Sequence, residues 1–295
     1  MSVLAQFAVN GIVTGSVYAL IALGFALIFT ASRVFHFAHG GVYTLSAFAG
    51  YTVLVTLELG IVAAFLAAIV TAALIGVLIN MLLYEPMKAG GVSPFVALIS
   101  SFGVLIIITH MTAMVWGSNP VVLSRGGKTT VYRFGAIYTT DAQMLIIGFT
   151  VILAVALWIF FRHMRLGIAI RAMGNDSELA EVVGMPAKRL RNISFIVGSG
   201  LVGISAMLIG LNVGIIDFNM GNEIILMATV AMIIGGLGNV GAAAGGGFVL
   251  GMIQNIAIWK IESKWQMALS FAILIIVLLF KPNGLFGEKR PATGL

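Results

Sequence analysis

The chain has 295 residues, of which 60% are hydrophobic and only 9% are charged, with a mean hydropathy of +1.12. About a quarter of the residues in a soluble globular domain are charged, so this composition excludes that class. The net charge of +6 does not indicate nucleic-acid binding, because the cations lie in loops between apolar runs, where they set membrane orientation. The absence of cysteine excludes disulfides and thiolate metal sites.

Long apolar runs recur along the whole chain, and they are continuous rather than alternating. This pattern predicts an all-α, polytopic helical membrane protein and excludes a β-barrel. The N-terminal run has neither a preceding cationic segment nor an Ala-x-Ala site, which predicts a retained span rather than a signal peptide. We expect one transmembrane domain over residues 1–295 with no appended soluble domain.

The apolar runs predict eight or nine transmembrane helices. In chain order they are Phe7–Thr30, Ala38–Leu57, Ile61–Leu83, Phe95–Trp116, Gln143–Phe161, Ile193–Val213, Ile224–Leu237, Ala243–Trp259 and Trp265–Phe280. The count stays open because the glycine-rich join at Gly235–Gly247 could be one broken helix. With nine helices, the loops on one side hold eleven Lys and Arg and the other loops hold five. The positive-inside rule then predicts a cytoplasmic segment 162–191, a cytoplasmic C-terminus and an outside N-terminus, and an eight-helix chain would move the N-terminus inside.

The segment 117–141, on the predicted outer side, is longer than a connection between two spans requires. Its residues alternate around Arg125–Lys128, which predicts a small β-hairpin with a glycine-containing turn. The segment is either a decorated loop or a docking surface for an extracytoplasmic partner, and we favour the docking surface.

Small residues recur at four-residue spacing in two predicted helices. They are Gly11, Gly15 and Ala19 in the first helix and Ala243, Gly247 and Gly251 in a late one. Such stripes let helix backbones approach closely in a membrane, so they predict tight helix packing without any ligand.

Two short segments interrupt the apolar pattern in the same way. Phe37-x-x-Gly40 lies between the first two predicted spans, Phe218-x-x-Gly221 lies between the sixth and seventh, and an apolar helix follows each. Interruptions at corresponding places predict two structural repeats with broken helices and a transport site near the breaks. The helix after each break would offer unpaired N–H groups and a positive dipole end to a carboxylate. The alternative is two ordinary loops.

The candidate substrate path combines the breaks with polar side chains inside the spans, although such side chains more commonly bond a neighbouring helix. The candidates are Asn10, Thr14, Tyr18, His36, Phe37, His39, Gly40, Ser100, Ser101, Phe218, Asn219 and Gly221. No predicted span carries an acidic residue near its middle, which argues against proton coupling through carboxylates. The sequence contains no metal-ligand cluster, nucleophile–base pair or phosphate-binding loop, so we expect no catalytic site and no cofactor.

The segment 162–191 carries dense charge of both signs and contains a short helix signal. Asn175 can cap the helix start, with Glu178 three residues later as the reciprocal partner, and Gly184 can end it. Its apolar face, formed by Leu179, Val182 and Val183, would suit a protein groove, and its glutamates could reach cations on a partner. A compact helix between basic flanks indicates a cytoplasmic contact, and an ordinary charged loop is the alternative.

Three stretches carry a family resemblance. They are GIVTGSVYALIALGFALIFTASRVFHFAHGGVYTLSAF (residues 11–48), GIAIRAMGNDSELAEVVGMPAKRLR (167–191) and IIGGLGNVGAAAGGGFVLG (233–251). Together they resemble the permeases of branched-chain amino-acid ABC importers of the LivH type, and the resemblance runs across nearly the whole chain. It implies a multi-pass permease subunit of the bacterial inner membrane, surrounded by lipid and working by alternating access, without nucleic acid as a partner.

The resemblance also implies partners and a coupling site. The partners are a second, related permease, two cytoplasmic ATPase subunits and a periplasmic or lipid-anchored substrate-binding protein. By the family pattern, the short helix enters a groove on an ATPase subunit, and the coupling residues are Asn175, Glu178, Leu179, Ala180, Glu181, Val182, Val183 and Gly184. The implied substrates are leucine, isoleucine and valine.

Three other functions remain as alternatives. The family pattern has Asn where this chain has His36, and related permeases carry urea and short amides. An importer permease for urea or short amides is therefore the first alternative. A secondary transporter or channel without an ATPase is a second, against which the coupling-loop resemblance argues. A non-transporting structural subunit is a third, and a scaffold would not need the paired breaks.

Overall fold

The computed structural model describes residues 2–123, 130–135 and 137–287. The described residues are mostly helical, which confirms the all-α class. The helices are α1 (Ser2–Ser32), α2 (Ala38–Tyr51), α3 (Ile61–Ile79), α4 (Glu85–Ala89), α5 (Pro94–Trp116), α6 (Asp141–His163), α7 (Arg165–Asn175), α8 (Ser177–Val182), α9 (Ala187–Val213), α10 (Met220–Gly235), α11 (Val240–Ile258) and α12 (Gln266–Phe280). Within the described ranges, seven helical segments are long and apolar enough to cross a membrane, so this is a multi-pass membrane protein.

The predicted count of eight or nine spans is not confirmed by helix length. α2 has 14 residues before it widens into a π-helical turn at Thr52–Thr56, and α10 has 16 residues. α10 and α11 are two separate helices, so the interpretation of Gly235–Gly247 as one broken helix is wrong. The chain turns between them at Gly236 and Gly238, whose φ values of 136° and 86° suit glycine, and the two helices then pack against each other.

α1 lies at the centre of the bundle and packs against α9, α10 and α11. The contact with α11 is formed by the two predicted stripes of small residues. A Cβ added at Gly15 would lie 2.7 Å from the Phe248 carbonyl oxygen, and one at Gly247 would lie 2.6 Å from the Ala19 nitrogen. The prediction of close backbone packing from these stripes is therefore confirmed.

A third stripe of small residues, which we did not predict, joins α3 to α9. Its members on α3 are buried at four-residue spacing: Ala64, Ala68, Ala72 and Gly76. A Cβ added at Gly203 of α9 would lie 2.6 Å from the Ala68 carbonyl oxygen. α9 thus packs against α1, α2 and α3, as α1 packs against α9, α10 and α11.

The described connections contain four short strands. β1 (Val121–Val122) pairs antiparallel with β4 (Ile215–Ile216), and β2 (Val131–Phe134) pairs with β3 (Ile137–Thr140). The predicted turn at Arg125–Lys128 lies outside the described residues, since positions 124–129 are undescribed. The strands on its two sides pair elsewhere, so the predicted hairpin is wrong. Leu123 explains part of the difference, because it is buried in the core beside Ile216 and draws β1 toward β4.

α3 continues through a π-helical turn at Asn80–Tyr84 into α4. A π-helical turn inserts an extra residue into the helix and changes which side chains face inward, and such turns are frequent at functional sites. Here it turns Asn80 and Tyr84 into the protein, where both are buried. Glu85 follows at once and lies beside α9.

Candidate functional site

The break before α2 is held by a buried hydrogen-bonded cluster. The Nδ1 atom of His36 lies 2.8 Å from the Tyr84 hydroxyl, which donates to the Ser101 hydroxyl over 2.9 Å. The Ser101 oxygen also accepts the Ala38 N–H at the start of α2, over 2.9 Å. The structure therefore brings two predicted path residues, His36 and Ser101, into one cluster with Tyr84, which fixes the start of α2 to α3 and α5.

The other two side chains of this break are placed differently. Phe37 stacks on Phe102 of α5, with ring centroids 4.2 Å apart. His39 is buried, its ring centroid lies 5.4 Å from that of His36, and neither of its ring nitrogens has a hydrogen-bond partner among the described residues. Buried polar groups are nearly always paired, so His39 is a candidate for binding something polar, although the buried hydroxyls of Tyr43, Thr109, Ser199 and Ser205 also have no partner among the described residues.

The two breaks meet at their glycines. A Cβ added at Gly40 would lie 2.5 Å from the Gly221 carbonyl oxygen, and one added at Gly221 would overlap the Gly40 carbonyl oxygen. The Gly221 N–H donates to the Thr44 hydroxyl over 3.1 Å. The starts of α2 and α10, distant in sequence, therefore cross in direct backbone contact.

The expectation that these helix starts offer unpaired N–H groups is wrong for this conformation. In α2, the N–H groups of His39 and Gly40 donate to carbonyl oxygens just upstream, both over 3.0 Å. In α10, the Met220 and Asn222 N–H groups likewise find acceptors in the preceding loop. The Ser101 hydroxyl accepts the Ala38 N–H, and the Thr44 hydroxyl accepts the Gly221 N–H. Each of these N–H groups therefore has an acceptor from its own turn or a neighbouring helix.

The remaining predicted path residues lie apart from the cluster. Ser100 is half-buried on α5, Phe218 is half-buried, and Asn219 is exposed, where its side-chain oxygen accepts from Asn222. The three α1 residues, Asn10, Thr14 and Tyr18, are half-buried. Asn10 accepts a hydrogen bond from Gln6, one turn away, and Tyr18 lies near Gln254 of α11. Of the three, Tyr18 is therefore the one placed beside a neighbouring helix, and the contact of Asn10 is within α1 itself.

The charged segment contains two helices, α7 and α8, where the sequence predicted one. Asn175 is the last residue of α7 and does not cap α8. Asp176 does so, accepting the Leu179 N–H over 2.9 Å. With Asp176 as the cap, the residue three positions later is Leu179, so the reciprocal capping role predicted for Glu178 is wrong. The structure does not describe the Glu178 side chain. The sequence could not separate Asn175 from Asp176, because either side chain can cap a helix.

The predicted end of the short helix is confirmed. Gly184 has φ of +82°, its N–H donates to the Glu181 carbonyl over 3.0 Å, and the Met185 N–H donates to the Ala180 carbonyl over 3.0 Å. This pair of bonds is the Schellman arrangement, which glycine favours because it needs a left-handed residue. Ala180 is buried against the rest of the protein.

α8 presents its apolar side chains outward. The exposed fractions of Leu179, Val182 and Val183 are 58%, 82% and 63%. Glu181 was expected to reach cations of a partner, but it pairs with this chain's own Arg191 at 3.6 Å and Lys88 at 3.7 Å. It therefore helps to hold α8 in place.

We did not predict the ion pair that Arg191, the partner of Glu181, forms with Glu85. The nearly buried Arg191 of α9 donates to both carboxylate oxygens of Glu85, over 2.7 and 3.1 Å. Asn80 adds a hydrogen bond to Asn192 over 2.7 Å. A signal was present, because Glu85 is one of only ten acidic residues and ends a long apolar run. Nothing in the sequence named its partner, which lies 106 positions away.

Comparison with known proteins identifies the family. Residues 7–278 match the family described as "Branched-chain amino acid transport system / permease component". The chain is 31% identical to the high-affinity branched-chain amino acid transport system permease protein LivH of Escherichia coli, over 95% of this chain and 94% of that protein. It is 28% identical to the permease protein BraD of Pseudomonas aeruginosa, described in the same terms, over 97% and 96% of the two chains.

Among solved structures, a chain of PsaBC from Streptococcus pneumoniae in complex with Fab has a similar fold. The TM-score is 0.51 at 15% identity, covering 94% of this chain and 91% of that one. This likeness supports the helical arrangement alone. The family match covers most of the sequence, and we conclude that this chain belongs to the family of permease components of branched-chain amino acid transport systems.

Proposed function

We propose that this chain is a transmembrane permease subunit of an ATP-driven importer of leucine, isoleucine and valine in the bacterial inner membrane. It would work with a second related permease, two cytoplasmic ATPase subunits and a periplasmic or lipid-anchored binding protein. The names of its relatives support the substrate class. In this proposal, ATP-driven movement of the ATPases reaches the transport path through α8.

The observation that carries the proposal is the combination of a fixed backbone and an uncovered apolar face in α8. Isolated helices need about 12–15 residues to persist in water, and α8 has only 6. The Asp176 cap, the Gly184 end and the buried Ala180 hold this helix from one side. Its other side exposes apolar side chains, each of which would contribute about 1.5–3 kcal/mol on full burial. Such a helix suits a groove on a partner protein.

A mechanical link from α8 into the transmembrane helices supports the coupling role. Glu181 contacts Arg191 at the start of α9, and Arg191 binds Glu85 at the end of the α3 segment. This charge pair is largely shielded from solvent, with side-chain exposures of 8% for Arg191 and 13% for Glu85, so separating it would cost free energy. A displacement of α8 would therefore be transmitted to α9 and α3 together.

The helix packing supports two inverted repeats, with α1, α2 and α3 corresponding to α9, α10 and α11. α1 packs on α11 as α9 packs on α3, and α2 packs on α3 as α10 packs on α11. The equivalent glycines Gly40 and Gly221 contact each other reciprocally, as residues beside a two-fold axis do. In this proposal α2 and α10 cross as the two shorter spans, giving nine, and alternating access is a rocking of one repeat against the other.

We infer that the transport path passes beside the crossing of the two breaks. His39 supports this, since its unpaired ring nitrogens could bind a polar group of the substrate. Asn219 supports it from the other break, because its side chain is exposed. Gly40 and Gly221 would act as the contact point about which the helices move.

The experiment that tests the proposal replaces Leu179 by Asp in the assembled importer. We expect Leu179→Asp to leave the permease folded in the membrane but to abolish co-purification of the ATPase subunits or substrate-stimulated ATP hydrolysis, because a charge would enter an apolar groove. Ser177→Asp is the matched control, since it adds the same charge to the first turn of α8, where the helix dipole favours it. If Leu179→Asp retains both ATPase association and transport, the loop is only a connector and the ATP-driven function loses its mechanical basis.

A further inference from the structure

A large cavity lies between α1, α6, α7 and the turn that joins α10 to α11. Its volume is about 920 Å³, at the upper end of the range for ligand pockets. One end is apolar and is lined by Leu23, Ala154 and Ala244. The other end is lined by Arg162 and Arg171, among other polar groups. The cavity is thus amphipathic along its length, and the transport proposal makes no use of it.

The cavity extends from the end of two spanning helices into their apolar part. Along α1 it runs from Leu23 to Arg33, ten residues that rise about 15 Å. Along α6 it runs from Ala154 to Arg162, which rises about 12 Å. Half of the hydrocarbon core of a bilayer is about 15 Å deep, so the cavity has the depth of one leaflet's acyl chains.

Two arginines at the polar end, Arg162 and Arg171, carry positive charge that no described acidic residue pairs with. In the described part of the chain, Arg162 and Arg171 have no ion-pair partner, and the described lining contains no Asp or Glu. The Arg162 guanidinium lies 5.2 Å from the ring centroid of Trp158, which also lines the cavity. Tryptophan and arginine together are typical of the headgroup level of a membrane.

We propose that this cavity binds an anionic phospholipid, with the phosphate-containing headgroup at Arg162 and Arg171 and an acyl chain along the Leu23–Ala154 wall. Charge complementarity selects an anion, and basic pockets between transmembrane helices are known to bind such headgroups. The apolar wall selects a lipid over an acidic protein segment, because a protein segment would place its backbone polar groups against apolar side chains at membrane depth. The bound lipid would hold α6 and α7 to α1.

The test uses quenching of Trp158 fluorescence by phospholipids with brominated acyl chains, in nanodiscs that contain the full chain. The quenching lost in a Trp158→Phe variant measures the contribution of this tryptophan. We expect brominated phosphatidylglycerol to quench it at lower mole fraction than brominated phosphatidylcholine. Arg162→Gln and Arg171→Gln should each reduce that preference about fivefold, since each arginine contributes to binding at an anionic surface.

Arg165→Gln is the matched control, because Arg165 is exposed in the same segment but does not line the cavity. It should leave the preference unchanged, and added inorganic phosphate should not reverse it. Equal quenching by the two lipids, or an equal loss in the Arg165 variant, would overturn the proposal. If the preference for brominated phosphatidylglycerol is seen only in a variant that ends at Gly287, residues 288–295 and not a lipid occupy the cavity of the full chain, and the proposal is wrong.

Discussion

The starts of α2 and α10 follow matching sequence breaks, and the structure treats them differently. The start of α2 is buried and held by side chains from other helices: Ser101 accepts its first N–H, and Tyr84 holds His36. The start of α10 is held mostly by its own loop, in which Asp217 accepts the Asn219 N–H over 2.7 Å. Among the described residues, its one hydrogen bond to another helix runs from the Gly221 N–H to the Thr44 hydroxyl over 3.1 Å.

This difference shows that similar sequence signals can have unequal mechanical roles. α2 cannot move at its start without breaking a buried polar network, whereas the loop before α10 is held mainly by hydrogen bonds within itself. A path that opens and closes beside the crossing would therefore change shape at the α10 break first. The shared glycine contact is the part that both breaks depend on.

Replacement of the shared glycines has the largest expected effect. Gly221→Ala places a methyl group inside the Gly40 backbone, and Gly40→Ala does the reverse, so each should lower the free energy of unfolding by about 3 kcal/mol or more. Gly103→Ala in α5 is the control, because a Cβ there has no neighbour within 4 Å. Unfolding in SDS of the purified variants measures the change. A stable Gly221→Ala protein would mean that the two breaks do not touch as described.

Loss of the Ser101 hydroxyl should have the next largest effect. Ser101→Ala leaves the Ala38 N–H and the Tyr84 hydroxyl without this acceptor in a buried place, so we expect a loss of about 2 kcal/mol. Thr44→Val at the other break removes a single hydrogen bond and should cost about 1 kcal/mol. The same unfolding measurement compares them. Equal losses would contradict the view that α2 is the more firmly held start.

Replacement of Asn219 should have the smallest effect on stability. Asn219→Ala removes an exposed side chain that accepts a hydrogen bond from Asn222 in the same turn, so the free energy of unfolding should change by less than about 0.5 kcal/mol. Uptake of radiolabelled leucine into vesicles that contain the full importer then reports on the path alone. Reduced uptake with unchanged stability would support a path beside this break, and normal uptake in both Asn219→Ala and His39→Ala would move the path elsewhere.

Local sequence patterns gave correct predictions where the structure depends on residues within one short stretch. The stripes of small residues in α1 and α11 predicted close packing because any helix with such a face can approach another backbone. Gly184 predicted a helix end because only a left-handed residue completes that turn. The apolar runs predicted the seven long apolar helices of the described residues, because a spanning helix must match the thickness of a membrane, whereas α2 and α10 are shorter than that.

Patterns that depended on a distant partner could not be predicted. Residues 121–122 alternate as a hairpin strand would, yet they pair with residues 215–216 because the helix packing brings those segments together. The N–H groups after the breaks were expected to be free, and their acceptors come partly from Ser101 and Thr44 on other helices. Pairing of this kind depends on helix positions, which no local pattern contains.

The sequence by itself therefore determined the class of protein, the approximate limits of its helices and the places where the apolar pattern breaks. Hydrophobicity, helix-end chemistry and backbone stereochemistry depend on residues close together in the sequence, so their effects can be predicted from the sequence alone. Only the tertiary structure decided that the breaks cross at their glycines, and that Arg191 joins Glu85 to the α8 helix. Those contacts are selected by the packing of whole helices, because a buried charge or close backbone contact is stable only when its partner is already in place.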